Sequence, residues 1–153
     1  RLDGNSCSRL DGAIVDVWHC DALGIYSGVR DDRESDLRGR KFLRGYQITN
    51  AKGIADFLTI YPGWYEGRCV HIHFKIRGES SAGRRYELTS QLYFPDSVTD
   101  QVHRSAPYNS RGRRAVLNED DFLFRSGGKQ LIPKLSKNGQ GYEAIFDIGL
   151  RLA

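Results

Sequence analysis

Short runs of β-branched and aromatic residues, each closed by a glycine- or proline-bearing break, constrain this chain more than any other feature. Residues 13–20 read AIVDVWHC and are followed by the turn signal DALG, and comparable runs lie at 55–60, 69–77, 86–94 and 142–150. Breaks stand at 50–53, 62–63, 78–83, 95–96 and 139–141. Such runs suit a pleated surface, and glycine supplies turn dihedrals that other residues avoid. The expectation is a mainly β fold, a β-sandwich with short helices in its connecting loops. Helical signal is confined to 99–104 and 118–124, where Asn118 reads as an N-cap followed by acidic residues.

A chain of 153 residues fits one domain, 1–153, and at this size roughly 70% of the unfolded surface is buried on folding. Charged residues at 27% against 39% hydrophobic exclude a disordered chain. No apolar run approaches the roughly 18 residues of a spanning helix, so no membrane partner is expected. Net charge is +4, from 23 Lys and Arg against 19 Asp and Glu, a mild excess that attracts anions. The basic clusters at Arg38, Arg40 and Lys41 and at Arg111, Arg113 and Arg114 read as solvated loops. No stacking aromatics interleave with them, and nucleic acid is not an expected partner. Cys7, Cys20 and Cys69 permit one bridge plus a free thiol, or three free thiols. The tetrapeptide RLDG at 1–4 and 9–12 is too short to be a structural repeat. A start at Arg1, with neither an initiator Met nor a signal segment, reads as a processed product and, with the stand-alone domain, suggests an extracellular location, a cytoplasmic one being the alternative.

Chemistry enters with His71 and His73 in the run CVHIHFKI. Residues two apart on a strand share a face with Cα atoms roughly 6.8 Å apart, so two imidazoles can converge on one ion. They can equally be a histidine pair on a polar sheet face. Cys69 has the same parity, but four positions along a strand is roughly 13 Å, too far for a shared Cys, His, His ion without a bulge. A cupin-like carboxylate is also missing, because Arg77 and Gly78 occupy its places and Glu79 is out of step. Further ligands must come from elsewhere. Each of the eight tyrosines is by default a packing residue, yet phenolate is a hard anionic oxygen that favours a trivalent ion.

The segments GAIVDVWHCDALGIYSG, FLRGYQITNAKGIADFLTIYPGWYEGRCVHIHFKI and LTSQLYF resemble the intradiol ring-cleaving dioxygenases, non-haem ferric enzymes acting on catechol and protocatechuate. The resemblance covers 12–28, 42–76 and 88–94, and continues more weakly through Pro107, Tyr108 and 118–124 to the C-terminal strand. It implies an Fe(III) cofactor held by Tyr26 of the Gly-x-Tyr turn, Tyr65 of the Pro-Gly-x-Tyr segment, His71 and His73. It also implies catalytic roles for Tyr65, Arg68 and Gln91. Tyr65 would take a proton from the catechol substrate while Tyr26 stays bound. Arg68, always charged and planar, would stabilise negative charge developing on the ring. Both atoms of O2 would enter the substrate, giving a cis,cis-muconate-type product.

Trp18 and His19 read as packing residues beside the ligands, and His103 as a solvent-exposed side chain in a short polar helix. Tyr46, Tyr61, Tyr86, Tyr93, Tyr108 and Tyr142 keep the packing reading, with Tyr61 and Trp64 near enough to Tyr65 to shape a pocket mouth. The chain departs from the family in lacking its N-terminal helical segment, from which a monomer is expected. His71 follows Tyr65 by six positions where many relatives carry an insertion, a shortening that opens the pocket to bulkier catechols. Two other readings compete: a non-catalytic β-sandwich binding module whose histidines are structural or zinc-bound, and a divalent-iron oxygenase cleaving outside the diol.

Overall fold

The computed structural model describes residues 1–3, 6–30 and 36–152. In chain order its strands are β1 (Leu2–Asp3), β2 (Ser6–Cys7), β3 (Ile14–Trp18), β4 (Arg44–Ile48), β5 (His71–Glu79), β6 (Arg85–Tyr93), β7 (Lys134–Asn138) and β8 (Gly141–Ile145). Helix α1 spans Asp96–Val102 and α2 spans Phe122–Arg125, with 3-10 turns at Tyr108–Arg111, Asn118–Asp120 and Gly128–Leu131. An antiparallel four-stranded sheet in the order β4-β3-β5-β6 forms the centre, while β1 pairs β2 and β7 pairs β8 in separate hairpins.

Register divides the sheet into two chemically different faces. Val17 lies opposite Phe74 and Val15 opposite Ile76, while Ile76 lies opposite Leu88. Phe74, Ile76 and Ala13 are buried, and Val15, Val17, Leu88, Leu92, Phe146 and Leu150 pack against them. Phe146 brings its ring centroid to 6.0 Å from that of Phe74, so the chain after β8 covers this face as the second layer of the sandwich. The other face carries Trp18, His71, His73, Gln91 and Tyr93. There Cys69, Tyr93 and Phe124 form a second buried cluster with Val116, Leu131 and Ile132 from the helical segment. Because the strand period is two, a one-residue slip of β5 would turn both histidines into the apolar layer. Burial of that layer therefore enforces their orientation.

The expected mainly β sandwich stands, with particular elements corrected. Residues 55–60 are irregular, and Phe57, Leu58 and Ile60 are exposed. Their apolar character predicts a strand, but the segment joins no sheet, and Thr59 is instead tied to the side chain of buried His19, 2.7 Å from Nε2. The edge strand β4, RGYQI, carries no sequence signal because all five residues are exposed and, among the described residues, it pairs with β3 alone. Asn118 does not cap a helix by its side chain. It is buried and donates from Nδ2 to the Phe94 carbonyl at 2.8 Å. The cap of α2 is Asp121, whose Oδ1 accepts from the N–H groups of Leu123 (2.8 Å) and Phe124 (3.1 Å). Cys7, Cys20 and Cys69 are all free thiols.

Candidate metal centre

Two loops beside the polar face bring two tyrosines to the histidines. After β3 the chain turns through Asp21, whose Oδ1 accepts from the N–H groups of Leu23 and Ile25, both at 2.9 Å. Gly24 then takes φ +75° and Tyr26 follows. The second loop runs Pro62-Gly63-Trp64-Tyr65, and the Gly63 N–H donates to the Asp21 carbonyl at 2.9 Å. Each loop has a glycine pressed against the other. A Cβ on Gly24 would stand 2.0 Å from the Trp64 carbonyl oxygen, and one on Gly63 would stand 2.4 Å from that of Ala22. Gly24→Ala is therefore expected to destabilise the chain by at least about 1–2 kcal/mol from the left-handed backbone alone. The clash adds to that and parts the tyrosines; denaturant midpoints and metal affinity measure the two effects.

The four side chains converge. Tyr65 Oη lies 3.1 Å from His71 Nε2, which lies 3.1 Å from His73 Nε2. The Tyr26 ring is edge-on to Tyr65 at 5.5 Å and to His73 at 6.2 Å between centroids. His71 Nδ1 donates to the Cys69 carbonyl at 2.7 Å, which leaves the lone pair on Nε2 facing the cluster. Trp18, opposite His73 in the ladder, stacks on it at 4.9 Å with planes 1° apart. Burial brings His71 down to about 3, opposed by the Cys69 carbonyl and helped by the His73 and Arg68 charges. Burial and the Arg68 and Arg44 charges bring His73 to about 4. Both imidazoles are thus neutral at neutral pH. Burial raises the phenols of Tyr26 and Tyr65 above their ordinary value, and for Tyr26 the neighbouring Tyr65 adds to this.

Tyr26 Oη is buried and makes no hydrogen bond of ordinary geometry. A buried hydroxyl lacking a good hydrogen bond is costly, and a cation held by these four donors would remove the deficit, with both phenols releasing their protons to solvent and binding as phenolates. Among the described residues no group of three or more His, Cys, Asp or Glu could hold an ion, so tyrosine oxygen is needed to complete a site here. Cys69 takes no part through sulfur. Its thiol sits in the apolar cluster, where burial raises its pKa, and its carbonyl orients His71.

Arg68 and Gln91 meet as well. Arg68 donates from Nη2 to Gln91 Oε1 at 2.6 Å and from Nε to Asp121 Oδ2 at 2.7 Å. Gln91 also accepts from Tyr93 Oη at 2.9 Å and lies opposite His73 in the ladder. The fully buried Asp121 carboxylate accepts the Cys69 N–H at 2.9 Å besides capping α2. Burial alone would raise this carboxyl, but Arg68 and the N–H groups of Cys69 and Phe124 outweigh it and bring it to about 2. Sequence reasoning missed Asp121 as a site residue, although an Asp immediately before Phe-Leu-Phe is a legible cap signal. It also missed Arg44, whose guanidinium lies 5.8 Å over the Tyr26 ring and bonds the Ser27 carbonyl from Nη2 at 2.7 Å. No local pattern marks that role.

Other expectations need correction. His103 is not a solvent-exposed side chain: Nε2 donates to the Pro62 carbonyl at 3.1 Å, Nδ1 is buried, and the ring stacks on Tyr108. Tyr61 keeps its expected packing role, against Phe94, and bonds Thr99 Oγ1 at 2.8 Å. Arg111 and Arg114 are not in a solvated loop. Arg114, with a side chain only 4% exposed, pairs with Asp96 and Asp100, and Arg111 donates to two backbone carbonyls.

The Dioxygenase family model matches residues 2–120. Chlorocatechol 1,2-dioxygenase of Pseudomonas sp. (strain P51) is 35% identical over 97 residues, 54% of this chain and 37% of that protein. The protocatechuate 3,4-dioxygenase beta chain of Burkholderia cepacia is 32% identical over 110 residues, 65% of this chain and 46% of that protein. The chain thus spans less than half the length of these curated relatives. The solved intradiol ring-cleavage dioxygenase from Tetranychus urticae superposes with a TM-score of 0.81 at 34% identity, over 97% of this chain and 75% of that one. Likeness of sequence over most of the chain and of fold over nearly all of it agree on one conclusion: the chain belongs to the intradiol ring-cleavage dioxygenase family.

Proposed function

We propose that this chain cleaves catechol-type diols between their two hydroxyls with O2, using ferric iron held by Tyr26, Tyr65, His71 and His73. The observation that carries the reading is the convergence of two neutral imidazoles and two phenols, one of them buried with no hydrogen bond of ordinary geometry. Relatives named for chlorocatechol and protocatechuate support the substrate class. Two phenolates and a further anionic oxygen balance a trivalent ion, which favours the ferric state. When bound, the ion supplies Lewis-acid activation of a chelated diol towards O2, without an external reductant.

The chain's own residues supply the rest. Tyr65 Oη, half-buried beside His71 Nε2, would as the phenolate that holds the ion take a proton from one substrate hydroxyl and become the neutral phenol, while Tyr26, whose Oη is buried, would keep its position. Arg68, held at two of its nitrogens by Asp121 and Gln91, presents a fixed positive charge to a ring becoming electron-rich. Trp18 stacked on His73 prevents that imidazole from turning. In this reading the product is a muconate-type diacid.

Loading the purified chain with ferric iron is expected to produce a red tyrosinate-to-iron absorption and oxygen uptake with members of a catechol panel. A chain that stays colourless with ferric iron and binds zinc instead would overturn the proposal in favour of a zinc-binding module. A yellow semialdehyde product would assign cleavage outside the diol.

A further inference from the structure

We infer that Arg111 is a positioning residue of the metal centre, joining the loop that carries Tyr26 to the loop that carries Tyr65 and setting the separation of the two phenols. The inference rests on the reading of Tyr26 and Tyr65 as the phenolate pair. Arg111 closes the 3-10 turn Tyr108–Arg111. Its Nη1 donates to the carbonyls of Leu23 and, at 2.6 Å, Trp64. Leu23 stands three positions before Tyr26, and Trp64 immediately precedes Tyr65. The guanidinium also lies over the Trp64 ring, 4.4 Å from its centroid, and Trp64 Nε1 donates back to the Gly112 carbonyl at 3.3 Å. The turn is anchored at its other end, where Tyr108 Oη donates to the Tyr61 carbonyl at 2.8 Å. Gly24 accommodates the guanidinium, since a Cβ there would meet Nη1 at 2.1 Å.

The two halves of the site are held by different means. His71 and His73 lie in a ladder between two neighbouring strands, so sheet pairing fixes them. Tyr26 and Tyr65 lie outside every strand and depend on ties between loops. Arg111 and the Gly63 to Asp21 hydrogen bond are such ties. Loss of Arg111 therefore moves phenols relative to imidazoles while leaving the sheet in place. Lysine is an imperfect substitute, because a compact ammonium keeps charge and donors but cannot lie flat on the Trp64 ring.

The test compares Arg111→Met and Arg111→Lys with Arg113→Met as a neighbouring control. In the iron-free chain, hydrogen exchange of 21–26 and 62–66 is expected to rise together in Arg111→Met by at least about tenfold, with β5 and β6 unchanged. After ferric loading, its tyrosinate-to-iron absorption maximum should shift and iron affinity fall by about 10- to 100-fold, the usual effect of losing a group that orients a ligand. Arg111→Lys should lie between Arg111→Met and the parent, and it carries the test if Arg111→Met does not fold. Unchanged exchange in both loops with an unshifted absorption would overturn the inference. So would exchange rising equally across the sheet, which would make Arg111 a general structural residue. Failure of the parent chain to take up ferric iron would instead overturn the functional reading, and the exchange comparison would still decide whether Arg111 couples the loops.

Discussion

Tyr26→Phe is expected to yield a folded, colourless chain that consumes no oxygen with catechol. Phenylalanine fills the same volume, and the hydroxyl it removes is buried with no hydrogen bond of ordinary geometry. In the iron-free chain that deletion is expected to change stability by no more than about 1 kcal/mol, because no hydrogen bond of ordinary geometry is lost. In the presence of iron the outcome differs. An anionic ligand is missing, the remaining donors no longer balance a trivalent ion, and turnover falls by at least about a thousandfold, the scale of losing a group at the reacting centre. Thermal unfolding without metal, the visible spectrum with metal and an oxygen electrode read the three consequences separately. Retention of colour and turnover would remove Tyr26 from the ligand set.

The second large effect falls on Asp121, which touches none of the four donors. Its buried carboxylate pairs with Arg68, accepts the Cys69 N–H just before β5 and caps α2. Asp121→Ala leaves Arg68 without its anion and three N–H groups without an acceptor. Breaking such a pair from one side costs about 3–5 kcal/mol, which lowers Tm by roughly 10 °C or more for a chain of this size. Oxygen consumption at saturating catechol should also fall by about 10- to 100-fold, since Arg68 loses the group that aims it.

Asp121→Asn separates charge from capping, because the amide oxygen can still accept from the start of α2. It should retain most of the stability of the helix while losing the ion pair. The pH dependence follows from the same carboxylate. It titrates near 2 in the folded chain against about 3.9 when unfolded. Between those values the unfolded chain holds more protons, so stability present above about pH 4 is lost as pH falls towards 2. Denaturant midpoints measured across that window should fall less steeply in Asp121→Asn than in the parent.

The parts of the site that were legible are those written in local spacing. His71 and His73 share a face because the strand period is two, and the apolar residues between and beyond them point the other way. Tyr26 and Tyr65 are marked instead by the likeness of the Gly-x-Tyr and Pro-Gly-x-Tyr segments to the family; Gly24 takes a positive φ, and Gly63 lets its loop press on the Ala22 carbonyl. Elements whose residues do not bury were illegible. β4 is exposed along its whole length and shows no alternation, while 55–60 is apolar yet remains outside the sheet. A hydrophobic pattern reports burial, and where burial and pairing part company the pattern misleads.

His103 and the arginines teach the same point from the polar side. Arg111, Arg113 and Arg114 look like one basic loop in one dimension. In three dimensions Arg114 is enclosed by two aspartates and Arg111 spans two loops, Leu23 lying 88 positions and Trp64 47 positions away. The order of residues along the chain determined which face of β5 His71 and His73 share, since strand parity depends on neighbours a few positions apart, and its likeness to the family singled out Tyr26 and Tyr65 as their candidate companions. Folding settled which charges support those donors, Asp121 beneath Arg68 and Arg111 between the tyrosine loops, because an ion pair or a guanidinium bridge depends on distance through space, and chain closure creates that distance without leaving a periodic trace.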